Sequence, residues 1–64
     1  MHLKNLAKLR KEKGWSQEKL AHEARISYNT LIKIERNGIK NPKIETVVKL
    51  SNALGISIDE LIKS

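Results

Sequence analysis

Apolar residues recur along this chain every three or four positions, and no stretch reads as a strand. That spacing predicts amphipathic helices, five of them. Over residues 3–13, Leu3, Leu6, Ala7 and Leu9 share one face while Lys4, Lys8, Lys11 and Glu12 fall opposite. Gly14 closes this helix as a left-handed cap, and Trp15 is expected to lie over it as a lid. Ser16 is an N-cap for a second helix from Gln17 to about Ala24. Its inward residues are Leu20, Ala21 and Ala24, small enough to let another helix cross closely, while Glu18, Lys19, His22 and Glu23 face out. Ser27 caps a third helix, Tyr28 to Arg36, anchored by Leu31 and Ile34. Asn37-Gly38 is a stop, and 39–42 is a loop. A fourth helix runs from Lys43 or Ile44 to Leu54, with Ile44, Val47, Val48, Leu50 and Leu54 on one side. Ser51 lies within that stripe, where its hydroxyl can bond a carbonyl one turn earlier. After the Gly55 cap, Ser57-Ile58-Asp59-Glu60 is a capping-box pattern opening a short fifth helix with Ile58, Leu61 and Ile62 apolar.

Two features stand out from this pattern. Arg10 sits inside the apolar stripe of the first helix, and a buried arginine needs a carboxylate partner because leaving it unpaired costs several kcal/mol. The third helix is too short and its apolar stripe too narrow to be stable alone. It must be docked, and it keeps Tyr28, Asn29, Ile32, Lys33 and Arg36 away from the core. The expected fold is all-α, a compact five-helix bundle in a single domain, 1–64, with neither repeat nor linker.

Composition narrows the chemistry. Sixty-four residues are near the lower limit for a core without staples, and there is no cysteine for a disulfide or a thiolate metal site. His2 and His22 cannot form a structural zinc site alone. There is no nucleophile–histidine–acid grouping, no phosphate-cradling glycine loop and no carboxylate cluster with metal spacing, so no enzyme is expected, and no cofactor, metal or small-molecule ligand is implied. Thirteen Lys plus Arg against seven Asp plus Glu leave +6 on a very small body, which favours an anionic partner, most commonly nucleic acid. No apolar run approaches the ~20 residues of a membrane span, and a cytoplasmic protein, nucleoid-associated when bound to DNA, is the expectation.

Three stretches together, LRKEKGWSQEKLA, ISYNTLIKIERNG and NPKIETVVKLSNALGISIDEL, resemble the helix-turn-helix domains of phage repressors and Cro, the XRE family. The resemblance covers nearly the whole chain, with the helix-turn-helix core at 16–36. It implies a lambda-repressor-like bundle whose third helix enters the DNA major groove while the second lies across the backbone. Carried over by position, it implies base reading by Tyr28, Asn29 and Lys33, flanked by Thr30 and Ile32. Asn29 suits the N6 and N7 of adenine, Lys33 the O6 and N7 of guanine, and Tyr28 a thymine methyl or a phosphate. It implies phosphate contacts from Gln17, Arg36, Asn37, Lys40, Asn41 and Lys43, which set register rather than preference. It also supplies the partner of Arg10, a partly buried salt bridge to Glu35. The chain departs from the family at Arg25, where glycine is usual, at Lys19, which replaces a capping acid, and at Lys43, where a serine cap is common.

The resulting expectation is a sequence-specific regulator of transcription on double-stranded DNA, a repressor acting as a homodimer on a palindromic operator. Ile56, Ile58, Leu61 and Ile62, with the Ile39 to Ile44 loop, are the expected dimer surface, being C-terminal aliphatics. The chain is either a small autonomous repressor, restriction–modification controller or antitoxin, or a piece of a longer regulator. The alternative reading is an antitoxin-type or adaptor module whose main role is binding a protein partner.

Overall fold

The structure, a computed structural model, describes residues 3, 5–36 and 41–62, and among them holds five helices and no strand. These are α1 (Leu6–Glu12), α2 (Gln17–Ala24), α3 (Tyr28–Glu35), α4 (Ile44–Leu54) and α5 (Ile58–Ile62). Serines start three of them. The hydroxyls of Ser16, Ser27 and Ser57 accept from the main-chain N–H of Lys19, Thr30 and Glu60 at 3.1, 3.0 and 3.1 Å. α4 starts without such help, because its N-cap residue Lys43, extended like the capping serines, offers no side-chain acceptor.

Three helix ends share one construction. Gly14, Arg25 and Gly55 take φ of 75°, 58° and 69°, the left-handed conformation. The next N–H then reaches back five residues: Trp15 to the Arg10 carbonyl at 3.2 Å, Ile26 to Ala21 at 3.0 Å, Ile56 to Ser51 at 3.1 Å. Each of those following residues is apolar, half-buried and packed on the core. So one backbone motif both stops the helix and turns a hydrophobic side chain inward. The middle case sets the α2–α3 turn, and there the left-handed residue is an arginine, as the departure from glycine at this position implied.

Two expectations about the helices need correction. The first helix begins at Leu6, not Leu3. Leu3 is still buried, but its carbonyl accepts from Leu6 N–H across a three-residue turn at 3.2 Å. Asn5 gives no side-chain cap; its amide donates instead to the Glu60 carbonyl at 3.2 Å, tying this end to α5. On α4 the covered face is Val47, Leu50, Ser51 and Leu54, while Ile44 is 59% and Val48 38% exposed. Periodicity marked both as apolar; they lie on the flank of the stripe, where no neighbouring helix covers them. Ser51 is buried and donates to the Val48 carbonyl at 2.9 Å, the expected back-bond.

α2 is the hub, packed against both α3 and α4. Its buried Ala21 and Ala24 leave room for that double crossing. Leu6, Leu20, Leu31, Val47, Leu50 and Leu61 are fully buried. Leu61 therefore cannot belong to a dimer surface: its side chain is used up inside this chain. Ile56, Ile58 and Ile62 are half-buried and keep part of their surface outside. No helix among the described residues is long and apolar enough to cross a membrane. Trp15 lies over the core as the expected lid, with the Lys13 and Lys19 ammonium groups 4.9 and 5.8 Å from its ring centre.

A left-handed arginine costs on the order of 1 kcal/mol relative to a residue without a Cβ. Arg25→Gly is therefore expected to raise the thermal midpoint by about 4 °C or more. A lowered midpoint in a circular-dichroism melt contradicts this reading of the turn.

Candidate nucleic-acid interface

The site begins with a buried charge. Arg10 is 8% exposed, and all three of its guanidinium nitrogens donate. Nε donates to Glu35 Oε2 at 2.8 Å and Nη2 to Glu35 Oε1 at 3.1 Å. Nη1 donates to the Trp15 carbonyl at 2.8 Å. The expected pair is present, bidentate, and only 10% and 6% of the two side chains remain accessible. Two other ion pairs among the described residues, Lys19–Glu23 and Glu45–Lys49, are exposed and 3.3 Å long, so each contributes a few tenths of a kcal/mol. The buried pair is different in kind, since removing one partner strands a desolvated charge at a cost of about 3–5 kcal/mol.

Glu35 has a third donor that periodicity did not suggest. Gln17 Nε2 donates to its Oε1 at 2.9 Å. The carboxylate at the end of α3 thus gathers α1 through Arg10 and the start of α2 through Gln17. No local signal announces this bond, because its partners are 18 positions apart and each looks like an ordinary polar helix residue.

With its inner side fixed, α3 leaves its other side free. Leu31 and Ile34 are buried, whereas Tyr28 is 45% exposed and Asn29, Lys33 and Arg36 are exposed. Ile32 and Thr30 are half-buried. The Ser27 hydroxyl donates to Thr30 Oγ1 at 2.7 Å, which leaves the Thr30 hydroxyl its own proton and a second lone pair for another partner. Lys33, Arg36 and Lys43 form no ion pair with any described residue. The one acid on α3 is Glu35, buried and neutralised. The outer face of α3 therefore carries no acid, and Asn29, Lys33 and Arg36 make it largely polar and basic.

Beside it, a cleft of about 370 Å³ is lined by Thr30, Ile34, Asn41, Pro42, Lys43 and Thr46. It brings Asn41 and Lys43, expected at phosphates, next to α3, and adds Thr46, which sequence reasoning missed. The cleft lies against the first turn of α4, whose main-chain N–H groups have no partner within the helix and carry partial positive charge. Asn37 and Lys40, also expected at phosphates, lie outside the described residues. Gln17 is half-buried at the first position of α2.

Two short helices joined by a tight turn, α2 and α3, with α3 tied to α1 by a buried ion pair and presenting an uncovered basic face, define a helix-turn-helix domain. A family profile described as helix-turn-helix matches residues 6–61, and the chain belongs to that family. It is 41% identical over 58 residues to y4dJ, an uncharacterized HTH-type transcriptional regulator of Sinorhizobium fredii, an alignment covering 91% of this chain and 74% of that protein. It is 39% identical over 54 residues to RstR, the cryptic phage CTXphi transcriptional repressor of Vibrio cholerae, covering 84% of this chain and 48% of the repressor. The chain thus spans about three quarters of one relative and about half of the other. The crystal structure of SinR, the master regulator for biofilm formation, in complex with DNA superposes with a TM-score of 0.91 at 36% identity, covering 98% of this chain and all of that one. These relatives are transcriptional regulators, not enzymes.

Glu35→Ala is expected to lower stability by about 3 kcal/mol or more, since Arg10 and Gln17 lose their acceptor together. In a domain of this size that shift removes more than about 12 °C from the midpoint or unfolds it at ambient temperature. A loss under about 1 kcal/mol contradicts the bracing role.

Proposed function

We propose that this chain binds double-stranded DNA sequence-specifically as a transcriptional regulator, acting as a homodimeric repressor on a palindromic operator with α3 in the major groove. The observation that carries this reading is the uncovered face of α3, where Tyr28, Asn29, Lys33 and Arg36 stand exposed on a rigidly braced helix. A helix fits the major groove, where base edges carry a distinguishable code. Asn29 is assigned to adenine and Lys33 to guanine, with Tyr28 on a thymine methyl or a phosphate. Thr30 and Ile32 flank them, Thr30 with a hydroxyl proton to donate and Ile32 with an aliphatic edge for a methyl or a sugar. Gln17, Arg36, Asn41 and Lys43 hold phosphates, and Asn37 and Lys40 are assigned the same role. The +6 charge supports that backbone contact. A cytoplasmic location, on the nucleoid when bound, is the one that suits a regulator working on DNA.

Size supports the dimer. The Cα extents are 23 × 22 × 18 Å, and recognition helices on a two-fold operator lie about 34 Å apart, so one copy reads one half-site. The proposed interface is the exposed Ile44 with the outer parts of Ile56, Ile58 and Ile62. The same aliphatics favour a second reading, an antitoxin-type or adaptor module that binds a protein partner there. The two separate on whether duplex affinity is salt-sensitive.

Selection from random duplexes at moderate salt is expected to enrich a two-fold symmetric motif; enrichment of none overturns the proposal. On the selected duplex, Asn29→Ala or Lys33→Ala is expected to cost about 1–3 kcal/mol and relax one base pair per half-site. Lys43→Ala is expected to weaken selected and random duplexes alike and flatten the salt slope by about one. Equal weakening of both duplexes by Lys33→Ala contradicts its reading role. Ile44→Glu leaves the melt unchanged, since the side chain is exposed, and is expected to abolish the two-half-site complex while sparing half-site binding. Unaltered occupancy of both half-sites in a mobility-shift assay moves the interface elsewhere.

A further inference from the structure

Gln17 and Glu35 meet at 2.9 Å in a part-buried contact, and the chemistry of that contact is directional. A carboxylate whose oxygens already receive Arg10 can only accept. The Gln17 amide must therefore present its nitrogen, and the flipped arrangement, oxygen against carboxylate, is excluded. One of its two amide protons is taken by Glu35, which leaves the second for another acceptor. No buried side-chain nitrogen or oxygen among the described residues lacks a hydrogen bond, so the network is complete without DNA. A phosphate is acceptor-only as well, and the proton an amide would offer it is the one remaining here. The negative charge of Glu35 does not oppose that approach, because Arg10 neutralises it at 2.8 Å.

We propose that Glu35 is a positioning residue for DNA: it holds the Gln17 amide in the orientation that donates to a backbone phosphate. This rests on the DNA-binding reading above. One buried carboxylate then has two functions, bracing α3 against α1 and presetting a contact made from α2. The amide arrives at the phosphate already oriented, with no rotamer search at the moment of binding.

A merely structural bond between Gln17 and Glu35 changes the melt but not the way the two residues combine in DNA affinity. The test is a double-mutant cycle with Gln17→Met, Glu35→Gln and the double variant. Each is measured on the wild-type-selected duplex and on a random-sequence duplex, at a temperature where circular dichroism shows it folded. Gln17→Met is expected to weaken both duplexes by about fivefold, the equivalent of one hydrogen bond, with the salt slope unchanged because the amide is neutral. In the Glu35→Gln background the same substitution is expected to cost less than about twofold. Full multiplicative losses in the double variant overturn the proposal, as does a Gln17→Met affinity equal to wild type.

Should Glu35→Gln not fold, the wild-type protein supplies the second measurement. In its ¹⁵N–¹H spectrum the two Gln17 side-chain amide protons are expected to differ widely in shift, and only one to move when the selected duplex is added. If neither moves, the amide does not meet DNA and the proposal falls. Wild-type protein that binds no duplex overturns the DNA reading itself, an outcome distinct from a wild type that binds with Gln17 and Glu35 uncoupled.

Discussion

The fold depends on a guanidinium that has nowhere else to go. Arg10 sits in the apolar face of α1, where an unpaired charge costs several kcal/mol. It is tolerated because Glu35 and the Trp15 carbonyl together receive all three of its nitrogens. That requirement fixes geometry. Glu35 is the last residue of α3, so satisfying Arg10 sets the depth and rotation of α3 relative to α1. An eight-residue helix anchored by only Leu31 and Ile34 has little else to hold its rotation. The apolar core supplies the attraction, which is non-directional; the ion pair supplies the direction.

Bracing the inner side leaves the outer side rigid and unoccupied. The three left-handed helix ends contribute by turning the chain sharply while burying Trp15, Ile26 and Ile56. The α2–α3 turn follows this rule with an arginine in place of glycine, a small local strain, while every buried side-chain nitrogen and oxygen among the described residues has a hydrogen bond. Preorganisation of this kind is what base-edge recognition demands, since misplacing a side chain by an ångström forfeits a bidentate contact.

How far the sequence foretold this varies with the range of the interaction. The start of α2 and the end of α4 were legible because Ser16 and Gly55 act locally, as caps. The start of α1 was not, because Asn5 spends its side chain on α5, a contact 55 positions away. Ile44 and Val48 were misassigned to the core because periodicity identifies an apolar stripe but not how wide a neighbour covers it. Leu61 failed the other way, an expected interface residue that proved fully buried. The exposed set on α3 was readable, since two inward anchors determine which side of so short a helix faces out. The Arg10–Glu35 partnership became visible through family resemblance, whereas the Gln17 bond to the same carboxylate belongs to tertiary structure alone.

α3, held by the buried pair, is the surface proposed to meet DNA. Chemical-shift mapping of ¹⁵N-labelled protein during titration with its selected duplex tests it most directly. The largest changes are expected at Tyr28, Asn29, Lys33 and Arg36, with smaller ones at Gln17 and Lys43 and little on the outer side of α1. Changes confined to Val48 and α5, with α3 silent, would contradict it.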